Sequence, residues 1–157
     1  MIQLGGAQMV KLEASSRQVS IVQELSECGI PICAHLGLRP QYIHKLGGYT
    51  MQGKDKASAN ELLESAQCLQ AAGADMLLLE CVPDNLAQKI TQQASIPVIG
   101  IGAGAQCDGQ ILVLHDVIGI THGVTPKFAK NFLAEANDIQ SAISDYVQDV
   151  KNHKFPS

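Results

Sequence analysis

The sequence predicts an α/β fold built on a parallel β-sheet. Three observations carry that reading. Short apolar runs recur at 8–13, 30–35, 75–80, 96–101 and 111–115. The stretches between them place apolar residues at helical spacing. The runs themselves are continuous rather than alternating, as in strands buried on both faces of a parallel sheet. Repeated β-α units leave two architectures, an open doubly wound sheet or a barrel. A closed (β/α)8 barrel takes eight units in about 250 residues. This chain has 157 residues. It therefore reads as one domain over 1–157, an incomplete barrel of about five β-α units. It begins abruptly: Ile2 and Leu4 read as the tail of a helix before Gly5-Gly6, so the expectation is a barrel lacking its first three units.

The first run, "QMVKLEAS", carries the chain through Val10 and Leu12 to Glu13. Lys11 and Glu13 are two apart on it and share a face. A lysine there suits a substrate carboxylate and a glutamate suits a hard cation such as Mg²⁺. A simple surface pair would use the same spacing. "SSRQVSIVQELSECG" then puts Val19, Val22 and Leu25 on one helix face, with Gly29 as the stop. The second run, "IPICAHLG", ends on His35, either a satisfied polar group or one facing a ligand. "LRPQYIHKLGGYTMQGKDK" follows, a long polar loop with Gly47, Gly48 and Gly53 that reads as a lid or binding loop.

"ASANELLESAQCLQAAGA" reads as a helix from a Ser58 cap to Gly73, with Leu62, Ala66 and Leu69 on one stripe. The third run, "MLLLECVP", ends on Glu80. A carboxylate at the mouth of a dry barrel suits a general base, with a structural ion pair to a lysine as the alternative. "DNLAQKITQQAS" gives a helix with Leu86 and Ile90, Pro83 standing at its start. "IPVIGIGAGAQCDGQILVLHD" places Gly100, Gly102 and Gly104 at a strand end. Those glycines permit close approach of a ligand or tight packing. Their third spacing is wrong for a dinucleotide fingerprint, and no GK[ST] follows to make a P-loop. His115-Asp116 falls in the fifth run, where neighbours point opposite ways, so its role reads as structural. His44, His122 and His153 carry no readable signal. The tail from about 126 to 152 reads as one or two helices with Phe128, Phe132, Ile139, Ile143, Tyr146 and Val150 as apolar positions. In both architectures ligands bind at the carboxyl ends of strands. Glu13, His35, Glu80 and the glycines after Ile101 are thus expected to line one pocket.

Composition narrows the function classes. The net charge is −4 and no basic stripe exists, which argues against a nucleic-acid partner. No apolar run approaches the roughly 20 residues of a membrane helix. The start lacks the charged-then-apolar pattern of a secretory signal. Five cysteines, an odd number without CxxC spacing, read as free thiols in a reducing compartment, the cytoplasm.

Taken together, "AHLGLRPQ", "GGYTMQGK", "LLLECVP", "IPVIGIGAG", "DGQILVLHD" and "PKFAKNF" resemble the C-terminal part of the ketopantoate hydroxymethyltransferases. The resemblance runs from about residue 4 to the end of the chain. It implies a (β/α)8 TIM barrel of the phosphoenolpyruvate/pyruvate superfamily, here incomplete. It implies a homo-oligomer and a step of pantothenate (coenzyme A) synthesis. In that step 5,10-methylenetetrahydrofolate and 3-methyl-2-oxobutanoate give 2-dehydropantoate. By motif, Glu80 is the proton acceptor, Lys11 and His35 bind the oxo acid, and Glu13 lies near Mg²⁺. Where the family commonly reads "VKIEGG", this chain reads "VKLEAS". The family's two metal-binding aspartates and an adjacent serine belong to its first third, which has no counterpart here. The expectation is therefore a chain that alone binds Mg²⁺ and the oxo acid poorly and does not turn over.

Three rival readings remain at this point. One is a Mg²⁺-dependent oxo-acid carbon–carbon lyase of the same superfamily, although "LGGYTMQGK" lacks the cysteine such lyases carry. Another is a non-catalytic relic or split-barrel subunit that pairs with another chain. The third is a phosphate-ligand binder using "GIGAG".

Overall fold

The computed structural model describes residues 2–42, 48 and 50–156. Five strands form one sheet in the order β1-β2-β3-β4-β5. They are β1 (Val10–Glu13), β2 (Ile32–Gly37), β3 (Met76–Glu80), β4 (Val98–Ile101) and β5 (Gly109–Gln110). Every neighbouring pair is parallel. Among the described residues the α-helices are α1 (Ile2–Gly5), α2 (Val19–Glu27), α3 (Lys56–Ala71), α4 (Asp84–Gln93), α5 (Leu114–Val117) and α6 (Ile139–Lys151). Helices α2, α3 and α4 connect successive strands, as parallel pairing requires.

The register sorts side chains between two faces of the sheet. Ile32, Ala34, Leu36, Leu77, Leu79 and Val98 share one face and are buried. They belong to one core with Val22 of α2, Ala66 and Leu69 of α3, and Leu86, Ala87 and Ile90 of α4. Fully burying each large aliphatic side chain there is worth about 1.5–3 kcal/mol. This is the stripe expected for α3 and α4, facing the sheet as their spacing requires.

Several boundaries differ from the sequence expectation. Burial on both faces holds only in part, since Cys33, Met76 and Ile99 are half-exposed and Lys11 is exposed. Strand β2 runs on past His35, because Leu36 and Gly37 still pair with Leu79 and Glu80. Gly37 has φ +89°, and a Cβ there would stand 2.2 Å from the Glu80 carbonyl oxygen, so only glycine fits. Helix α3 is capped by Asp55 rather than Ser58: the Asp55 carboxylate accepts from the Ala57 and Ser58 amides, both at 3.0 Å. The Ser58 hydroxyl in turn donates to Asp55 and holds its carboxyl below the ordinary range.

The fifth run is displaced most. Only Gly109 and Gln110 pair with β4, which itself ends at Ile101. Past Ile111, whose amide still reaches the Gly100 carbonyl at 2.9 Å, β4 offers no further partner and the chain turns into α5. His115 and Asp116 therefore lie on a helix, not a strand. Asp116 is buried and accepts a hydrogen bond from the Thr121 hydroxyl. Residues 126–131 are not helical, and the tail holds a short 3-10 turn (Phe132–Ala134) and α6. Phe132, Tyr146 and Phe155 stack edge to face with centroids 5.4–5.6 Å apart in a second small core. Ile139 and Ile143 stay outside it and are exposed. The Tyr146 hydroxyl donates to the Gln110 carbonyl at 2.9 Å, fastening α6 to β5. The middle of the expected lid, with His44 and Gly47, lies outside the described residues. No helix among the described residues is long and apolar enough to cross a membrane.

Candidate active site at the carboxyl end of the sheet

Strand alternation and parallel register place Lys11, Glu13, His35 and Glu80 on the sheet face away from the helices. Glu13 is in register with His35, and Glu80 with Gly37, one alternation further along β2. The four predicted side chains thus share one surface. Three of them, Glu13, His35 and Glu80, gather at its carboxyl end.

His35 is completely buried. Its Nε2 lies 3.1 Å from Glu80 Oε2, yet off the line of a hydrogen bond, and Nδ1 has no partner. Glu80 keeps a 16% exposed side chain. Glu13 Oε1 accepts a long 3.4 Å bond from the Gln41 amide, while Oε2 is buried without a partner. Leaving a buried polar atom unpaired costs about 1–3 kcal/mol. Native folds rarely tolerate that except where something else completes the bonds. Such atoms occur on His35 and Glu13, which are in register with each other, and also on Gln110 Oε1, next to Gly100.

The backbone around Glu80 is held from three sides. Its carbonyl accepts from the Leu38 amide at 2.8 Å. The next residue, Cys81, has φ +50°, a left-handed conformation for a side-chain-bearing residue. The Cys81 amide donates to the Ile101 carbonyl at 3.0 Å, and its carbonyl accepts from the Gln52 amide at 2.8 Å. Gln52 so ties the loop after β2 to the strand end that carries the carboxylate. No sequence signal marked Cys81, Gln52 or Leu38, because each acts through its backbone.

The other predicted members sit less centrally. Lys11 is exposed, one alternation back from Glu13, and in register with Cys33. Burial pushes the Cys33 thiol up, and the Lys11 ammonium partly opposes this. Cys81 is pushed up to about 11 by burial, with the Glu80 charge adding to it. Burial also raises Cys107. These three thiols therefore stay protonated at neutral pH. The glycines after Ile101 close on their own chain: the Phe128 ring covers Gly102 (φ +60°), where a Cβ would stand 2.5 Å from it. Gly104 lies against the Asp84 carboxylate, and Gly100 against Gln110 and Cys107. Among the described residues no three His, Cys, Asp or Glu side chains converge as metal ligands.

Comparison with known proteins gives the family of the chain. The family model described as ketopantoate hydroxymethyltransferase matches residues 1–157. The chain is 56% identical over 156 residues to the 3-methyl-2-oxobutanoate hydroxymethyltransferase of Alkalilimnicola ehrlichii, covering 99% of this chain and 56% of that protein. It is 55% identical over 152 residues to the enzyme of the same name from Marinobacter nauticus, covering 97% of this chain and 58% of that one. It is 53% identical to the one from Shewanella sp. (strain MR-4), again over 97% and 58%. The chain spans little more than half the length of these curated relatives. Matched from end to end, the chain belongs to the ketopantoate hydroxymethyltransferase family.

Proposed function

We propose that this chain is the catalytic-base half of a one-carbon transferase making 2-dehydropantoate, as part of a (β/α)8 barrel. The observation that carries the proposal is the His35–Glu80 contact beside unpaired buried atoms of His35 and Glu13. In this reading Lys11 receives the carboxylate of 3-methyl-2-oxobutanoate. Glu80 removes the proton on C3, next to the carbonyl. His35 orients the Glu80 carboxylate and donates toward the oxo acid as negative charge grows on its oxygen. The C3 carbon then bonds to the methylene carbon of 5,10-methylenetetrahydrofolate as that carbon's bond to one folate nitrogen breaks. Water displaces the second nitrogen, and the protons from C3 and from water go to the two folate nitrogens, leaving a hydroxymethyl group and tetrahydrofolate.

A divalent cation such as Mg²⁺ would supply Lewis-acid stabilisation of the enolate. Glu13 Oε2 is a hard, unpaired donor suited to it or to its water shell. One carboxylate is not a ligand set, so the described residues do not by themselves fit the metal. Its other ligands would come from beyond them. For that reason the isolated chain is expected to turn over poorly. A split-barrel subunit paired with another chain is the second reading, favoured by β1, which among the described residues pairs only with β2. The exposed Ile139, Ile143 and Val147, four residues apart on α6, support a homo-oligomer, which size-exclusion chromatography would test. Five free cysteines support the cytoplasm as its compartment.

The test joins this chain to the amino-terminal part of a full-length relative and measures 2-dehydropantoate. Product from the joined protein and none from the isolated chain is the expected pair of results. A joined, folded protein without product would sink the function. Measurable product from the isolated chain would sink the half-site view and leave the function standing.

A further inference from the structure

The segment just after β2 is hydrogen-bonded to two of the candidate site residues. Leu38 donates its amide to the Glu80 carbonyl at 2.8 Å, and Gln41 donates its amide to Glu13 Oε1 at 3.4 Å. Arg39 stands between these two anchors. Its guanidinium carbon lies 4.3 Å from the centroid of the Tyr42 ring. That distance places the cation over the ring, and a guanidinium carries five N–H donors for further partners. Among the described residues Arg39 makes no ion pair, and its side chain donates no hydrogen bond. The result is a half-buried guanidinium fork with no ion pair or side-chain hydrogen bond among the described residues, within two residues of groups that touch Glu80 and Glu13.

A fork of this kind matches a carboxylate, which it can hold with two parallel bonds. Two carboxylates could reach it: that of the oxo acid and those of the folate glutamate tail. Lys11 lies on the sheet face itself and suits the small oxo acid. Arg39 lies beyond the strand, on the segment whose amides bond Glu80 and Glu13, and suits a carboxylate of a longer co-substrate. Resting on the reading of a folate-dependent transferase, we infer that Arg39, braced by Tyr42, binds the glutamate carboxylate of the folate co-substrate. It thereby sets the preference for folates over ring systems that lack the glutamate.

The experiment titrates the purified joined protein with tetrahydrofolate and with tetrahydropteroate, which has the same rings without glutamate. It is repeated on Arg39→Gln and Arg39→Lys, with binding of 3-methyl-2-oxobutanoate measured in parallel. The expected result is binding of tetrahydrofolate roughly tenfold or more tighter than tetrahydropteroate, as loss of a charged hydrogen-bonded pair implies. Arg39→Gln should erase that difference and Arg39→Lys should keep only part of it. Oxo-acid binding should be unchanged in both variants, which also reports that they fold. Equal binding of the two pterins by the unaltered joined protein, or binding of neither, overturns the inference. So does a preference that survives Arg39→Gln. Weakened oxo-acid binding in a folded Arg39→Gln would assign the fork to the oxo acid instead, and overturn it too. Oxo-acid binding by the unaltered joined protein reads the Glu80 site separately, so this inference can fail while the proposed function stands.

Discussion

The two faces of the sheet are made from the same five strands and obey opposite rules. On the helix-covered face, Ile32, Ala34, Leu36, Leu77, Leu79 and Val98 are apolar and buried. On the other, Lys11, Glu13, His35 and Glu80 alternate with Cys33, Met76, Leu78 and Ile99. The first face spends its side chains on packing. The second leaves polar atoms of His35 and Glu13 buried and unpaired, at a cost of about 1–3 kcal/mol for each such atom, which is consistent with the ligand site proposed above. Neighbouring residues of one strand therefore answer to different demands.

The strongest test of that contrast is chemical. In the joined full-length protein, Glu80→Gln should slow C3 deuterium exchange of the oxo acid by about 10²–10⁴-fold, the usual contribution of a general base. Exchange that continues unchanged would remove Glu80 from the role. The next test compares two neighbours on β2. Leu36→Ala should cost about 2–5 kcal/mol in denaturant unfolding of the chain, because Leu36 is buried against the helices. His35→Leu should stay within about 1 kcal/mol, since it removes unpaired nitrogens and keeps an apolar volume. If His35→Leu cost as much as Leu36→Ala, the imidazole would be a packing element and the two faces would not differ as argued.

A weaker perturbation is Glu13→Ala. It should lower Mg²⁺ or oxo-acid affinity in the joined protein by about one order of magnitude or less, because one ligand of several is lost. Unchanged affinity would leave Glu13 as a partner for Gln41 only. The smallest effect concerns the thiols. At pH 8, iodoacetamide should modify exposed Cys28 and Cys68 before Cys33, Cys81 and Cys107. Cys81 is the sharpest case. Its folded pKa is raised from 9.0 to about 11, so folding favours the protonated thiol. The stabilisation this gives is fully present below pH 9 and is lost as pH rises through about 11. Early alkylation of Cys81 in the folded chain would contradict its half-buried place beside Glu80.

Much of this was readable in the residues. The parallel order followed from continuous apolar runs separated by helical stretches. Val22, Leu69 and Ile90 were placed on the core by spacing alone. Glu13 and Glu80 could be read because each ends its strand. The fifth run misled, because apolar content in 111–115 does not create a neighbouring strand to pair with, and β4 ends too soon. The apolar stripe of α6 misled in another way. Ile139 and Ile143 share its spacing with Tyr146, but only Tyr146 meets Phe132 and Phe155.

The sequence by itself determined the periodicities, and with them the strands, the helices and which residues could share a face. Those follow from local geometry, in which side chains alternate along a strand and recur every 3.6 residues along a helix. Only the tertiary structure decided that Nε2 of His35 stands 3.1 Å from Glu80, that Cys81 turns left-handed, and that Arg39 lies on Tyr42 between two pinned amides. These depend on register and on backbone hydrogen bonds between distant segments, such as Leu38 to Glu80 and Gln52 to Cys81. A backbone amide carries no side-chain signature, so nothing in the order of residues could announce them.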